Sequence, residues 1–272
     1  MANPYESDRL LAEYLLFHYG TPEEILPYAF GPREALDFAV RTVQAVALAG
    51  KTTDGKGRAL DLGCAVGRSS FELARFYGEV LGVDFSHQFV RAARHLARGE
   101  SICYERLEEG EITTALVARA PLGIEAARVR FEQGDAGALP EEWKDFDCVH
   151  AANLLCRMAR PTDLLDRLPG LVRAGGLLVL ATPHSWLDSF TAPENWIGGR
   201  VESGRPARTL DRLRTILAPS FDEVLVADEP FLIREHARKF QWGVSALSVW
   251  RRKKASSRPR RKAAGPEPDR PA

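Results

Sequence analysis

The sequence predicts an α/β fold: a mostly parallel seven-stranded sheet with one antiparallel strand, an N-terminal helical cap and a hairpin-like insertion. Three observations carry this. Apolar runs at 59–62, 80–83, 129–133 and 146–152 each end at an acid or amide, and helix-period patterns separate them. The first run leads into Asp61-Leu62-Gly63-Cys64-Ala65-Val66-Gly67-Arg68, which reads as a buried strand, a tight glycine turn and the N-terminus of a helix. The last two apolar runs, 221–227 and 242–250, have only a short connection between them, which suits an antiparallel return rather than a crossover.

Residues 1–50 read as the cap. Apolar and aromatic residues recur at helical spacing over 4–19, and Gly20-Thr21-Pro22-Glu23-Glu24 stops that helix and caps the next, with Thr21 at N-cap and Pro22 at N1. A third helix is expected over 33–48. The core, 51–252, begins after a Gly/Lys loop with strand 59–62, helix 69–77, strand 80–83 and helix 86–96. The insertion, about 101–121, has two strand-like runs around Glu108-Glu109-Gly110-Glu111 and reads as a hairpin or flap. Strands 129–133 and 146–152 follow, then helix 162–172, Gly175-Gly176 and strand 177–182. A long loop, about 183–205, is the expected acceptor loop. Helix 209–217 and strand 221–227 precede residues 234–239, which read as the approach to the final strand. Residues 253–272, rich in Arg, Lys, Pro and Ser, read as a disordered basic tail.

A chain of 272 residues, 45% of them hydrophobic, is long enough for one sizeable α/β domain. No apolar run is long enough to cross a bilayer and the first residues lack a signal-peptide pattern, so a cytoplasmic protein without a membrane partner is expected. Cys64, Cys103, Cys148 and Cys156 lack C-x-x-C spacing and the six histidines are dispersed, so neither a disulfide framework nor a metal site is expected. The net charge of zero is unevenly spread: residues 1–250 hold 28 basic and 35 acidic side chains, net −7. An acidic body argues against nucleic acid as the substrate.

Ligands of open α/β sheets bind beyond the carboxyl ends of the strands. A dinucleotide site wants G-x-G-x-x-G, but here Ala65 stands where that pattern has its second glycine. The spacing Asp61-x-Gly63-x-x-x-Gly67 instead resembles motif I of class I S-adenosylmethionine (SAM) methyltransferases, a Rossmann-like family. On that reading Asp61 and Gly63 meet the methionyl end, with Cys64, Ala65, Gly67 and Arg68 completing the loop. Asp84 accepts from the ribose hydroxyls, with Phe85 against the adenine face and Ser86 beside it. Asp135 and Ala136 take the adenine amino group, and Ala152 and Asn153 border the sulfonium. SAM is then the methyl donor and S-adenosylhomocysteine (SAH) the product. Ala152-Asn153-Leu154-Leu155 replaces the D/N-P-P-Y of methyltransferases acting on nucleobase or glutamine amino groups, which favours a small acceptor.

The opening, Tyr5-Glu6-Ser7-Asp8-Arg9-Leu10-Leu11 and Glu13-Tyr14-Leu15-Leu16-Phe17-His18-Tyr19-Gly20, resembles that of the C-terminal methyltransferase domain of the ovothiol biosynthesis enzyme OvoA. The likeness runs through 61–74, 131–136, 151–155, 194–199 and 238–242, and so covers about 4–252. It implies N-methylation of the imidazole of 5-thiohistidine (4-mercaptohistidine) to ovothiol A, with the acceptor supplied by a separate sulfoxide synthase. Other small thiolated or carboxylate acceptors, a selenium analogue, and a non-catalytic SAM-binding partner of the synthase are the alternatives. An amino acid acceptor needs a cation and an acid at its ionic end, for which Arg234, Arg238 and Glu194 are candidates. Its ring needs an aromatic wall, from Tyr14, Tyr19, Trp186 and Trp196. His18 and His184 are the candidate catalytic bases.

Overall fold

The computed structural model describes residues 4–50 and 55–254. The cap opens with a 3-10 turn, Pro4–Glu6, and helix α1, Asp8–Tyr19, whose N-cap Ser7 accepts from the Leu10 N–H. Helix α2, Pro22–Ile25, begins with the expected cap: Thr21 and Glu24 satisfy each other's backbone N–H groups reciprocally. The helix expected over 33–48 is broken. A 3-10 turn, Arg33–Ala35, and helix α3, Phe38–Leu48, are separated by Asp37 at φ 58°, a conformation that a short polar side chain tolerates.

The core then runs β1 (Arg58–Leu62), α4 (Arg68–Leu73), β2 (Glu79–Asp84) and α5 (His87–Ala97). It continues through β3 (Ile102–Glu109), β4 (Ile112–Ala118), β5 (Val129–Gln133), β6 (Phe146–Ala152), α6 (Pro161–Leu171) and β7 (Val172–Thr182). The chain closes with β8 (Arg200–Glu202), β9 (Arg205–Ala207), α7 (Thr209–Leu217), β10 (Phe221–His236) and β11 (Lys239–Arg252). The main sheet has the order β10-β11-β7-β6-β1-β2-β5, with β11 antiparallel to both neighbours and the other pairings parallel. Seven strands with one reversed is the fold the sequence predicts.

Three boundaries differ from expectation for physical reasons. Helix α4 stops at Leu73 because residues 74–77 turn back, with Phe76 N–H on Leu73 O, to reach β2. Strand β7 starts at Val172 rather than 177; pairing jumps from Phe146–Val172 to Cys148–Leu177, and Gly175 at φ 76° absorbs the extra residues. Strand β10 extends to His236, so residues 234–236 lie in a long two-stranded arm with β11 instead of before the last strand.

One face of the sheet packs on α1, α3, α4 and α5, and the other on α6 and α7, each around its own apolar core. The insertion is the expected hairpin, β3–β4, and it lies outside the main sheet. It is tied down as a clasp. Glu108 pairs with Arg234 at 2.6 Å, while Arg106 and Arg234 both donate to Glu24 O at the end of α2, at 2.9 and 2.8 Å. The tail expected to be disordered lies, from 255 onward, outside the described residues. Among the described residues no helix is long and apolar enough to cross a membrane.

Candidate active site

The loop after β1 sits where the strand order reverses, between β2 and β6. Gly63 (φ 69°) and Cys64 both donate their N–H to Val83 O of β2, at 2.8 and 3.1 Å, which folds the turn tightly over the neighbouring strand. Gly67, at φ 93°, lies against the Phe131 ring; a Cβ there would stand 2.7 Å from it. Between them Ala65 is itself left-handed, at φ 49°, and its N–H is held at 2.8 Å by Asp84 Oδ2.

Asp84 ends β2 with its other oxygen accepting from Ser86 N–H at 2.9 Å. Burial is the main influence on this carboxyl and pushes its pKa up to about 6, against the two backbone donors, which lower it. A carboxylate has about four acceptor positions, so it retains capacity for two ribose hydroxyls. Phe85 beside it is 58% exposed and lines the same cavity. Across the cavity Asp135 receives the Gly137 N–H at 2.7 Å, and Ala136, Ala152 and Asn153 complete the rim. Asn153, at φ 54°, donates its N–H to Ala181 O and accepts from Ser245 Oγ of β11 at 2.7 Å. The enclosed space is about 840 Å³, towards the upper end for small-molecule sites.

Several residues assigned to the cofactor from sequence, and Tyr19, a candidate for the acceptor's aromatic wall, lie behind this surface. Asp61 is 1% exposed and does not line the cavity: Ser69 and Ser70 hydroxyls donate to one oxygen at 2.7 and 2.6 Å, and His150 Nδ1 lies 2.7 Å from the other. Arg68 donates to Glu72 and to His18 O, joining α4 to α1. Tyr19 donates to Val66 O at 2.7 Å, so it clamps the glycine loop from above instead of facing an acceptor. Cys64 is buried, and burial pushes its thiol well above the ordinary range. Ser86 caps α5 and donates to Tyr5 O at 3.1 Å. These five support the cradle without lining it.

The cap closes the cavity with Tyr5, Tyr14, Phe17 and His18 of the first helical segments and Phe38 and Thr42 of α3. The Tyr14 hydroxyl is raised well above its ordinary pKa by burial. His18 Nδ1 is buried with no hydrogen-bond partner among the described residues. Burial, then the nearby Arg68 guanidinium, lowers the His18 pKa to about 3, so its ring is neutral at physiological pH.

The expected acceptor loop, about 183–205, reaches the cavity only through Ser189 and Phe190, and its tryptophans pack away from it. Trp186 donates to Thr209 at 3.0 Å and stacks on Trp196, whose indole donates to Thr191 O at 2.8 Å; the pair packs the loop against the start of α7. Glu194 is exposed on a 3-10 turn, Pro193–Asn195, and neither it nor His184 lines the cavity. Arg234 is consumed by the clasp, and Arg238 borders a separate groove with Tyr28 and Phe240. Of the acceptor and base candidates, only Tyr14 and His18 face the cavity. Residues not singled out from sequence replace them: Thr42, His150, Ser189, Phe190 and Arg157. Arg157 follows β6 on a 3-10 turn, Leu155–Arg157, donates to Ser185 O at 3.1 Å, and lies over the Phe190 ring at 4.9 Å. No carboxylate pairs with it among the described residues.

Residues 60–180 match a family model described as a methyltransferase domain. An uncharacterized 37.1 kDa protein in transposon TN4556 of Streptomyces fradiae is 28% identical over 179 residues, which is 65% of this chain and 43% of that protein. The chain thus spans less than half the length of this curated relative. Among solved structures, the N-methyltransferase NodS from Bradyrhizobium japonicum, in complex with SAH, aligns with a TM-score of 0.50 and 13% identity over 90% of this chain and 99% of that one. The YcgJ protein from Bacillus subtilis aligns with a TM-score of 0.52 and 14% identity over 79% of this chain and 99% of that one. At such identities these likenesses show the fold.

Proposed function

We infer that this SAM-dependent methyltransferase acts on a ring nitrogen of a small imidazole amino acid, 5-thiohistidine, to give ovothiol A. SAM supplies an already electrophilic methyl group, so the chain has only to align an acceptor and manage charge. The observation that carries a small acceptor is the enclosure: the Asp84–Asp135 cradle and the Tyr14–His18–Arg157 wall bound one cavity, roofed by the N-terminal helices. The identity of the acceptor rests on the sequence resemblance to OvoA, and the cavity supports it with suitable chemistry.

Asp84, Phe85, Asp135 and Ala136 hold the adenosine, and Gly63, Ala65 and Asn153 receive the methionyl end. Arg157, the cation without a carboxylate partner, takes the acceptor's carboxylate in place of Arg234 and Arg238. Tyr14, Phe38 and Phe190 enclose the ring. The thiohistidine is the product of a sulfoxide synthase. Purified protein incubated with SAM and 5-thiohistidine, with histidine alongside, tests this by mass spectrometry and NMR. A singly methylated product from the thiolated compound alone, with the methyl on ring nitrogen, is expected. SAH binding without methylation of either compound would refute the acceptor.

A further inference from the structure

Methylation of a neutral imidazole at nitrogen leaves a cationic ring that must lose a proton, and the two histidines proposed from sequence are poorly suited to receive it. His184 does not line the cavity, and His18 is held neutral by its surroundings. A third histidine, deeply buried, lies in the cavity wall. His150 of β6 is 1% exposed; its Nδ1 is 2.7 Å from Asp61 Oδ1, and its Nε2 is 3.1 Å from the hydroxyl of Thr42 on α3. Thr42 and His150 both line the cavity. The arrangement of hydroxyl, imidazole and carboxylate has the connectivity of a Ser-His-Asp triad, with the carboxylate at the end away from the cavity.

We propose that Thr42 and His150 form a proton relay that accepts the ring proton released on methyl transfer, with Asp61 as the positioning carboxylate. This rests on the nitrogen-acceptor reading given above. The geometry satisfies both protonation states. With His150 neutral, Nδ1–H donates to Asp61 and the Thr42 hydroxyl donates to Nε2. With His150 charged, Nε2–H donates to Thr42 Oγ1, whose own proton turns to Ala39 O, 3.3 Å away. No polar group is stranded in either state, which is what a buried site must achieve to hold and release a proton. Asp61 is fixed independently by the two serine hydroxyls of α4, so its oxygen stays aimed at Nδ1 whichever state is present.

The step balances. The acceptor nitrogen's lone pair forms the new N–CH3 bond as the C–S bond breaks, its electron pair remaining on sulfur as SAH. The methylated ring gives its proton to Thr42 Oγ1, and the threonine proton passes to His150 Nε2. The imidazolium formed is paired with Asp61, and its proton leaves to solvent after product release. The other titratable groups facing the pair are Cys64 after β1, Cys148 on β6, Asp84 on β2, and His18 and Tyr19 on α1. Burial holds both thiols, Tyr19 and His18 neutral near pH 7, leaving Asp84 as the other charge.

The test uses Thr42→Val, which keeps the side-chain shape, and His150→Asn, with 5-thiohistidine as acceptor. Both are expected to bind SAH within a few-fold of wild type and to lower kcat by about 10²-fold or more. Both should also lose the acid limb of the kcat–pH profile. Equal loss of kcat, SAH affinity and thermal stability with the pH profile unmoved would make the triad a structural stitch and overturn the relay. A second readout does not need the acceptor: ¹⁵N NMR of the wild-type protein should show the His150 proton on Nδ1, towards Asp61, with Nε2 accepting from Thr42, and the Nε2 resonance should shift in Thr42→Val. A His150 ring protonated on Nε2 instead, or an Nε2 resonance unmoved in Thr42→Val, overturns the proposal. Inactivity of the wild type on 5-thiohistidine would instead sink the acceptor reading, leaving the NMR result to decide the relay.

Discussion

Lowering the pH through about 6 should weaken cofactor binding through one side chain. Asp84 is held with its carboxyl pKa raised to about 6, burial being the largest cause, with Asp61 and Glu6 adding to it and the Ser86 and Ala65 N–H groups opposing. Two ribose hydroxyls would donate to the ionised form, so binding is linked to deprotonation. At about pH 5, one unit below that midpoint, roughly nine-tenths of the free enzyme carries a protonated Asp84, and the apparent affinity for SAH should be about tenfold weaker than at pH 7.5. Calorimetry in buffers of different ionisation enthalpy would also show uptake of nearly one proton by buffer per SAH bound at pH 5. Asp84→Asn should bind SAH roughly 10- to 100-fold more weakly at pH 7.5, having lost charge-assisted hydrogen bonds, and should show no such pH slope. The stability effect has the opposite sign. A carboxyl whose folded pKa is raised costs stability above about pH 6 and ceases to do so below its unfolded value, so Asp84→Asn should raise the melting temperature of the ligand-free protein at pH 7.5. The penalty relieved is at most about 3 kcal/mol. Wild-type affinity that is flat from pH 7.5 to 5, or an equal slope in Asp84→Asn, would refute the assignment.

Four further outcomes follow from the same geometry. Arg157→Ala should raise KM for the acceptor roughly 10- to 100-fold while leaving the SAH Kd within a few-fold, because it removes a hydrogen-bonded cation from one ligand only; parallel changes in both would place Arg157 on the cofactor. Gly67→Ala must fit a Cβ 2.7 Å from the Phe131 ring at φ 93°, and should cost about 1–3 kcal/mol in denaturant unfolding together with SAH affinity. Glu194→Ala, on an exposed turn outside the cavity, should leave kcat/KM within about twofold of wild type, and a larger loss would bring the Pro193–Asn195 turn into the site. His18, with a folded pKa lowered to about 3, takes up no proton where an unfolded histidine does. Its contribution is constant above about pH 6.5, and stability is lost below that by up to about 1.4 kcal/mol per unit, a slope that His18→Gln should reduce.

The sheet and the cofactor cradle were legible because both depend on local signals. Strands β5 and β6 and helix α7 fall on the expected residues, each bounded by Gly, Pro, Asp or Thr that leave little choice of where an element ends. In a parallel sheet the carboxyl ends of the strands converge on one edge, so Asp84, Asp135 and Asn153 could be brought together without knowing any loop. The acceptor wall had no such rule. Its residues come from α1, α3, the turn after β6 and Ser189-Phe190 of the 183–205 loop, and only packing decides which part of a loop folds inward. Trp186, Trp196 and Glu194 have the composition of a binding loop, yet Trp186 anchors on the Thr209 hydroxyl and Trp196 on the Thr191 carbonyl. Arg234 was unreadable for a different reason: its charge is matched by Glu108 in an insertion 126 positions away. His150 was hidden inside an apolar strand, where a histidine gives no period-2 signal of function. Only its contact with an acid one strand away gives it a role, through the parallel pairing that sets Asp61 beside it.

The distribution of charge ties these observations into one requirement. Methyl transfer from a sulfonium to a neutral nitrogen begins with one cation in the cavity and ends with another, now on the product ring. A permanently charged base against the donor would oppose binding, and His18, which lines the cavity, is kept neutral by burial and by the neighbouring Arg68. The same conditions prevent His18 from taking the proton at the end. That duty needs an imidazole beside a fixed anion and hydrogen-bonded to a neutral hydroxyl. His150, with Asp61 on one ring nitrogen and the Thr42 hydroxyl on the other, meets that description. The acid at the end of β1 therefore serves the cavity from below. It shapes the glycine loop through Ser69 and Ser70, and supplies the negative charge against which a released proton can be held.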